Sequence, residues 1–91
     1  MTTRDDLIMA RRLIQSNWRQ RCPLSCVKEA CGTGTRFGAA HVALVRALPP
    51  GWYCVVVYFD ARTTTLEDML AVFDRAIKAQ RGRDRRARPA A

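Results

Sequence analysis

The segment WYCVVVYF, from Trp52 to Phe59, consists of eight consecutive apolar residues, most of them β-branched or aromatic. Such residues favour β-strands, and the lack of polar alternation is typical of a strand buried on both faces. Pro49-Pro50-Gly51 stands directly before the segment and ends whatever element precedes it. We therefore predict a strand over 52–59, and it is the only strand that the sequence indicates.

A solitary strand raises the question of what pairs with it. Backbone donors and acceptors that are buried without partners are costly, so a second strand is needed. Three partners are open: residues 61–64 folding back, the same strand of a second copy, or a sheet edge on another protein. We predict the second of these, a homodimer through strand Trp52 to Phe59.

A first helix is predicted over residues 4–21. Thr3 followed by Asp6 matches a capping box, in which each side chain bonds the backbone N–H of the other residue. Pro23 ends the helix, because its ring removes a donor and restricts the residue before it. Apolar residues recur at helical spacing on one side of this segment, namely Leu7, Ala10, Ile14 and Trp18.

Two further helices, joined by a glycine-containing turn, are predicted after Pro23. The first covers residues 24–31, and Gly32-Thr33-Gly34 supplies residues that tolerate positive φ where a helix ends. Thr35 is predicted to cap the next helix, which stops before Pro49-Pro50-Gly51. Its apolar stripe consists of Phe37, His41, Leu44 and Leu48. This order is that of a helix-turn-helix, whose second helix offers its first residues to the major groove of DNA.

The last predicted helix begins at Thr65, whose spacing to Asp68 again matches a capping box. Its apolar stripe consists of Leu66, Met69, Leu70, Phe73, Ala76 and Ile77. After Gln80 the sequence RGRDRRARPAA has no apolar anchor, so we predict a disordered Arg-rich tail over 81–91. The predicted fold is therefore α+β and mostly helical, with three to four helices and one buried strand in a single domain over 1–80.

Three cysteines and the one histidine of the chain have residue types that suit zinc. They are Cys22, Cys26, Cys31 and His41, spaced C-x3-C-x4-C-x9-H. Common zinc sites place the first pair two to four residues apart and repeat such a pair, which this spacing does not do. A disulfide framework is not expected without a secretory signal. We interpret the cysteines as small buried residues and predict no cofactor, with zinc as the alternative.

The positive charge is concentrated at the two ends of the chain, whose formal net charge is +8. Residues 1–21 hold five basic and two acidic groups, and residues 81–91 hold five and one. Clustered positive charge is typical of proteins that bind nucleic acid, where release of counterions from phosphates drives association. Arginine predominates among the basic residues. The planar guanidinium suits phosphates and guanine edges, but a GC-rich genome produces the same bias.

These features predict a small, non-enzymatic, DNA-binding regulatory protein of plasmid or phage type. The arginines predicted to contact nucleic acid are Arg11, Arg12, Arg19, Arg36, Arg81, Arg83, Arg85, Arg86 and Arg88. Arg36 and its neighbours on the third helix would contact bases, and the other arginines would neutralise phosphates. The alternative is a protein-binding inhibitor or adaptor of a host complex, encoded by a phage or mobile element.

Catalysis and membrane association are not indicated by the sequence. Its acidic pairs, Asp5-Asp6 and Glu67-Asp68, lie at predicted helix starts, where capping and the helix dipole account for them. Cys31 and His41 offer a nucleophile and a base across the turn, without a third group to orient them. No apolar run reaches the roughly 18 residues of a membrane span, and charges interrupt the first twenty residues. We expect an intracellular location.

Overall fold

The computed structural model describes residues 2–87, with side-chain detail as far as Arg81. This part of the chain contains five helices and no strand. In chain order they are α1 (Thr3–Ser16), α2 (Pro23–Cys31), α3 (Thr35–Ala47), α4 (Val55–Asp60) and α5 (Leu66–Ala87). The predicted α+β class is therefore wrong. Across these helices, no stretch combines the length and the hydropathy that a bilayer crossing requires.

The predicted strand over 52–59 is replaced by the short helix α4 and the residues leading into it. Val55, Tyr58 and Phe59 are buried, at helical spacing. Val57 is 57% exposed, whereas a strand buried on both faces would enclose it. The helix closes its own backbone hydrogen bonds, as from the Tyr58 N–H to the Cys54 carbonyl at 3.0 Å. It therefore needs no second strand.

The same finding removes the basis for the strand-mediated dimer. Trp52 to Phe59 presents no strand edge that a second copy or another protein could extend. Strand propensities differ by only about 1 kcal/mol and depend on context. Burying one large apolar side chain contributes about 1.5–3 kcal/mol, so core packing outweighs the β-branched composition. Homodimerisation itself stays a prediction.

Helix α1 begins one residue earlier than predicted and ends five residues sooner than predicted. The capping box joins Thr2 and Asp5: the Thr2 N–H donates to Asp5 Oδ2 at 3.1 Å, and the Asp5 N–H donates to Thr2 Oγ1 at 3.2 Å. Donation from the Thr2 backbone lowers the pKa of the Asp5 carboxyl. At the other end, the Asn17 side-chain amide donates to the Leu13 carbonyl at 2.8 Å and closes the helix. Trp18 thus lies in a turn.

The glycine-containing turn between α2 and α3 is confirmed. Gly32 and Gly34 have φ values of 74° and 95°, which L side chains rarely adopt. Pro23 occupies the first turn of α2, where its missing N–H needs no partner. Gly34, not Thr35, is the N-cap of α3.

The core receives side chains from all five helices. Its largest fully buried apolar members are Phe73, Leu7, Ile14, Leu44, Met69, Val27, Val55 and Val72. Helix α1 lies centrally and contacts α2, α3 and α5, and α3 packs against α5 along its length. This arrangement exposes one side of α3 beside the C-terminal half of α5.

Helix α5 begins with the predicted capping box. The Thr65 N–H donates to Asp68 Oδ2 at 3.0 Å, and the Asp68 N–H donates to Thr65 Oγ1 at 3.1 Å. Its predicted stripe, apart from Leu66, lies in or against the core, and Gln80 is the last residue described as buried. The helix continues to Ala87, through most of the segment 81–91 that was predicted to be a disordered tail. Residues 88–91 lie outside the described part of the chain.

Candidate nucleic-acid interface

Arg36, the predicted base reader, forms an ion pair with a buried carboxylate. Its Nε donates to Asp6 Oδ2 at 3.2 Å and one terminal nitrogen donates to Asp6 Oδ1 at 2.6 Å. The Asp6 side chain is 1% exposed and that of Arg36 is 48% exposed. The hydrogen bonds to Asp6 raise the pKa of Arg36. Because an unpaired buried carboxylate is costly, Asp6 retains Arg36 at the junction of α1 and α3.

Arg19 is also engaged within the protein. It stands in the turn after α1 with φ of 66°, an uncommon value for a residue other than glycine. Its terminal nitrogens donate at 2.6 Å each to the carbonyls of Phe59 and Thr64. Its guanidinium lies 4.6 Å from the centroid of the Trp18 ring and 5.5 Å from that of Phe59. Arg19 therefore satisfies carbonyls at the end of α4 and the loop after it.

Arg11 and Arg12 are neighbours in sequence and differ in their surroundings. Arg11 is half-buried, and its Nε contacts Asp74 Oδ1 of α5 at 2.8 Å. Arg12 is exposed and makes no hydrogen bond or ion pair with any described residue. Of the predicted arginines in the first three helices, Arg12 is thus the one whose charge is not used within the described structure.

The remaining predicted arginines belong to the C-terminal end of α5. Arg81 is exposed, and like Arg12 it has no polar partner within the described range. Arg83, Arg85 and Arg86 occupy helical positions, and Arg88 lies outside the described residues. We call residues 81–87 the basic arm. Its backbone is one continuous helix with the part of α5 that packs against the core.

Sequence reasoning missed several exposed cations, which have no oppositely charged partner among residues 2–81. They are Lys28, Arg46, Arg62 and Lys78. Arg75 was also missed: it is exposed, and its Nε donates to the Ala47 carbonyl at the end of α3, at 2.9 Å. The sequence offers no signal for these residues, because single basic residues on helical surfaces are common and their neighbours come from other elements.

The alternative zinc set is not assembled. No three histidine, cysteine, aspartate or glutamate side chains come together as a metal site within the described residues. Cys31 Sγ instead donates to the Val27 carbonyl of its own helix at 3.1 Å, and His41 packs against Phe37 with ring centroids 5.8 Å apart. All four cysteines are unpaired thiols.

Cys26 and Cys31 also lack the electrostatic features of a reactive thiol. Burial raises the pKa of Cys26, and burial followed by the nearby Asp6 carboxylate raises that of Cys31. A raised pKa leaves the thiol protonated near neutrality, where the thiolate is the nucleophile. The surroundings of Cys31 therefore do not activate it as a nucleophile for a pair with His41.

Comparison with protein-family models, with curated proteins and with solved structures gives no match for this chain. Its charge, burial and contacts are the observations on which a functional proposal rests.

Proposed function

We propose that this protein binds DNA through its basic arm, mainly by contacts with phosphates. The observation that carries the proposal is the continuation of α5 as a helix to Ala87, beyond Gln80, the last buried residue described. Residues 81–88 contain five arginines and one aspartate. A helix that bears this density of positive charge suits the phosphate backbone.

The helical form of the arm favours duplex DNA over duplex RNA. The major groove of B-DNA admits an α-helix, whereas that of A-form RNA is deep and narrow and side chains cannot read it. Residues 81–87 make about two helical turns at 3.6 residues per turn. The arm is therefore long enough to follow a short stretch of the groove.

The helix-turn-helix part of the chain contributes less to this proposal. Arg36 is engaged with Asp6, and the exposed side of α3 also presents the apolar residues Ala39 and Val42. Base edges are read chiefly by hydrogen-bonding side chains, which this surface has in short supply. We therefore propose binding with little sequence preference, in which Arg36 maintains the fold and Arg12 adds a peripheral phosphate contact.

The test replaces all five arginines of residues 81–88 by glutamine, which preserves helix propensity and removes five positive charges. Duplex DNA affinity is measured by fluorescence anisotropy over a range of salt concentrations. Each phosphate contact contributes about 0.9 to the slope of log K against log salt, so the slope should fall by up to about 4.5 units. Circular dichroism and thermal unfolding verify that the core stays folded.

The matched control removes exposed charges elsewhere, with Lys28→Gln and Arg62→Gln. These residues lie on α2 and in the α4–α5 connection, and neither has a polar partner among the described residues. The control should leave the slope nearly unchanged. If the slope falls by the same amount per removed charge in both variants, DNA is attracted diffusely to the whole basic surface. If the natural chain does not bind DNA, the proposal is excluded.

The alternative, a protein-binding inhibitor or adaptor, was predicted to dock through the exposed strand and the basic ends of the chain. That strand is absent from the described residues, so docking through it has no structural support. Docking through the basic ends stays a prediction.

A further inference from the structure

Two open cavities lie along the seam between α3 and α5, one on each side of Arg46. The first has a volume of about 470 Å³, and its apolar lining includes Ala43, Ala47, Leu48 and Pro49, which we call its floor. The second has a volume of about 540 Å³ and is lined by residues that include Ala39 and Val42. We call this surface the α3–α5 groove. Val42, 47% exposed, is one of the few large apolar side chains that the described surface presents to solvent.

Arg75 forms one rim of the first cavity and is fixed in place. Its Nε donates to the Ala47 carbonyl at 2.9 Å, which satisfies an acceptor at the C-terminal end of α3 and holds the planar guanidinium. No described residue accepts a hydrogen bond from its two terminal nitrogens. Arg46 lines the same cavity. The groove therefore combines an apolar floor with a preoriented guanidinium, which suits a carboxylate.

Neither cavity is lined by an acidic side chain among the described residues. We infer that the α3–α5 groove binds an acidic peptide segment of a partner protein, which inserts an apolar side chain onto the Ala and Pro floor. A carboxylate beside that side chain binds Arg75 and Arg46. Apolar anchors flanked by complementary charges are typical of protein–protein recognition.

Charge and shape favour this occupant over two others. A second copy of the chain would bring its own net charge of +8 to an arginine-lined surface, and like charges oppose association. The sugar-phosphate backbone has no side chain that fills a floor of Ala43, Ala47, Leu48 and Pro49. An acidic and apolar peptide matches both the rim and the floor.

The experiment selects binders from a phage-displayed library of random 12-residue peptides, against the full chain in excess duplex DNA that occupies the basic arm. Recovered peptides are synthesised with their Asp and Glu residues intact or changed to Asn and Gln. Their affinities are measured by fluorescence anisotropy for the natural chain and for Ala79→Glu. Ala79 is exposed and lines the first cavity, so the glutamate adds bulk and one negative charge beside Arg46 and Arg75 without disturbing the core.

The matched control is Lys78→Gln, which lowers the net charge by the same one unit at the neighbouring position on α5 and lies outside both cavities. We expect peptides that combine carboxylates with an apolar residue. Ala79→Glu should weaken them by about ten-fold or more, whereas Lys78→Gln should change binding less than about two-fold. Changing the acidic residues of the peptide to amides should weaken its affinity for the natural chain. The same change should weaken its affinity for Arg75→Gln less, which would show that the peptide carboxylates interact directly with Arg75.

Several results would overturn the inference. These are failure to recover any peptide, recovery of peptides without carboxylates, and equal weakening by Ala79→Glu and Lys78→Gln. If Ala79→Glu weakens duplex DNA more than Lys78→Gln does, the groove belongs to a nucleic-acid surface instead. DNA binding is tested on variants of residues 81–88 and peptide binding on variants of the groove, so either proposal can fail while the other stands.

Discussion

Three arginines in the body of the protein and Arg81, the first residue of the basic arm, differ in what surrounds them. Arg11, Arg19 and Arg36 each contact an acceptor from a distant part of the chain: Asp74, the carbonyls near the end of α4, and Asp6. Arg81 is exposed and has no polar partner within the described range, although it lies on the same helix as Asp74. One residue type thus serves the fold in the body and has no polar partner at Arg81, the last described side chain.

The comparison shows that net charge overstates the charge available for binding. Asp6, Glu29 and Asp74 pair with Arg36, Arg21 and Arg11, so those arginines are neutralised within the body. Among the described side chains, the cations without an acidic partner lie at scattered surface positions. Three predictions test which arginines of the body the fold engages, beginning with the largest expected effect, and a fourth concerns a buried thiol.

Arg36→Ala should lower the free energy of unfolding by about 2–4 kcal/mol, because it leaves the Asp6 carboxylate buried and unpaired. Urea denaturation measures the change. Asp6→Asn is the matched variant and should cost less, since the half-exposed Arg36 can be solvated when its partner loses charge. If Arg36→Ala leaves stability unchanged and relaxes DNA sequence preference, Arg36 is a base reader, as the sequence alone predicts.

Arg19→Ala should lower the free energy of unfolding by about 2 kcal/mol, through loss of the charged hydrogen bonds to the carbonyls of Phe59 and Thr64. Thermal and urea unfolding report the loss. Arg19→Gly removes the same guanidinium but accepts the φ of 66° at this position, so it separates the effect of the hydrogen bonds from backbone strain. Equal stability of both variants and the natural chain would contradict a structural function for Arg19.

Arg11→Gln and Arg12→Gln should differ in DNA binding. Arg12→Gln should reduce the salt slope by at most about 0.9, the contribution of one phosphate contact. Arg11→Gln should leave the slope unchanged, because its charge is already balanced by Asp74, and should cost up to about 1 kcal/mol of stability. If Arg11→Gln reduces the slope and Arg12→Gln does not, ion pairs in the body do not decide which arginines bind DNA.

Stability should fall slightly at alkaline pH, since burial raises the pKa of Cys26 above its ordinary value of 9.0. Below that value the thiol is protonated in both states, so its contribution is fully present. As pH rises through 9.0 the unfolded chain loses the proton first, and the free energy of unfolding decreases until the folded thiol also titrates. Urea midpoints between pH 7 and pH 10 measure this slope.

Cys26→Ala should flatten that dependence, and Cys54→Ser, at an exposed position, should leave it as it is. Burial also raises the pKa of Tyr58, so part of the slope should persist in Cys26→Ala. A slope that is unaffected by Cys26→Ala would show that the buried thiol is not its source.

Local signals predicted α2, α3 and the start of α5 well, but not the continuation of α5 beyond Gln80. The Gly32-Thr33-Gly34 turn and the Thr65 capping box depend on neighbouring residues, and both are found where the sequence indicates. Helix α4 was missed because eight apolar residues in a row carry no period that separates helix from strand. The absence of a second strand in the sequence was itself evidence against the strand.

The sequence by itself determined the helix starts at α3 and α5, the apolar stripes and the concentration of arginine after Gln80. Each of these follows from residues a few positions apart, within reach of local backbone and side-chain bonds. Only the tertiary structure decided that WYCVVVYF includes a helix, and which arginines the fold engages. Arg36 meets Asp6 across 30 positions and Arg19 meets Thr64 across 45, and such contacts form only when the core brings those elements together.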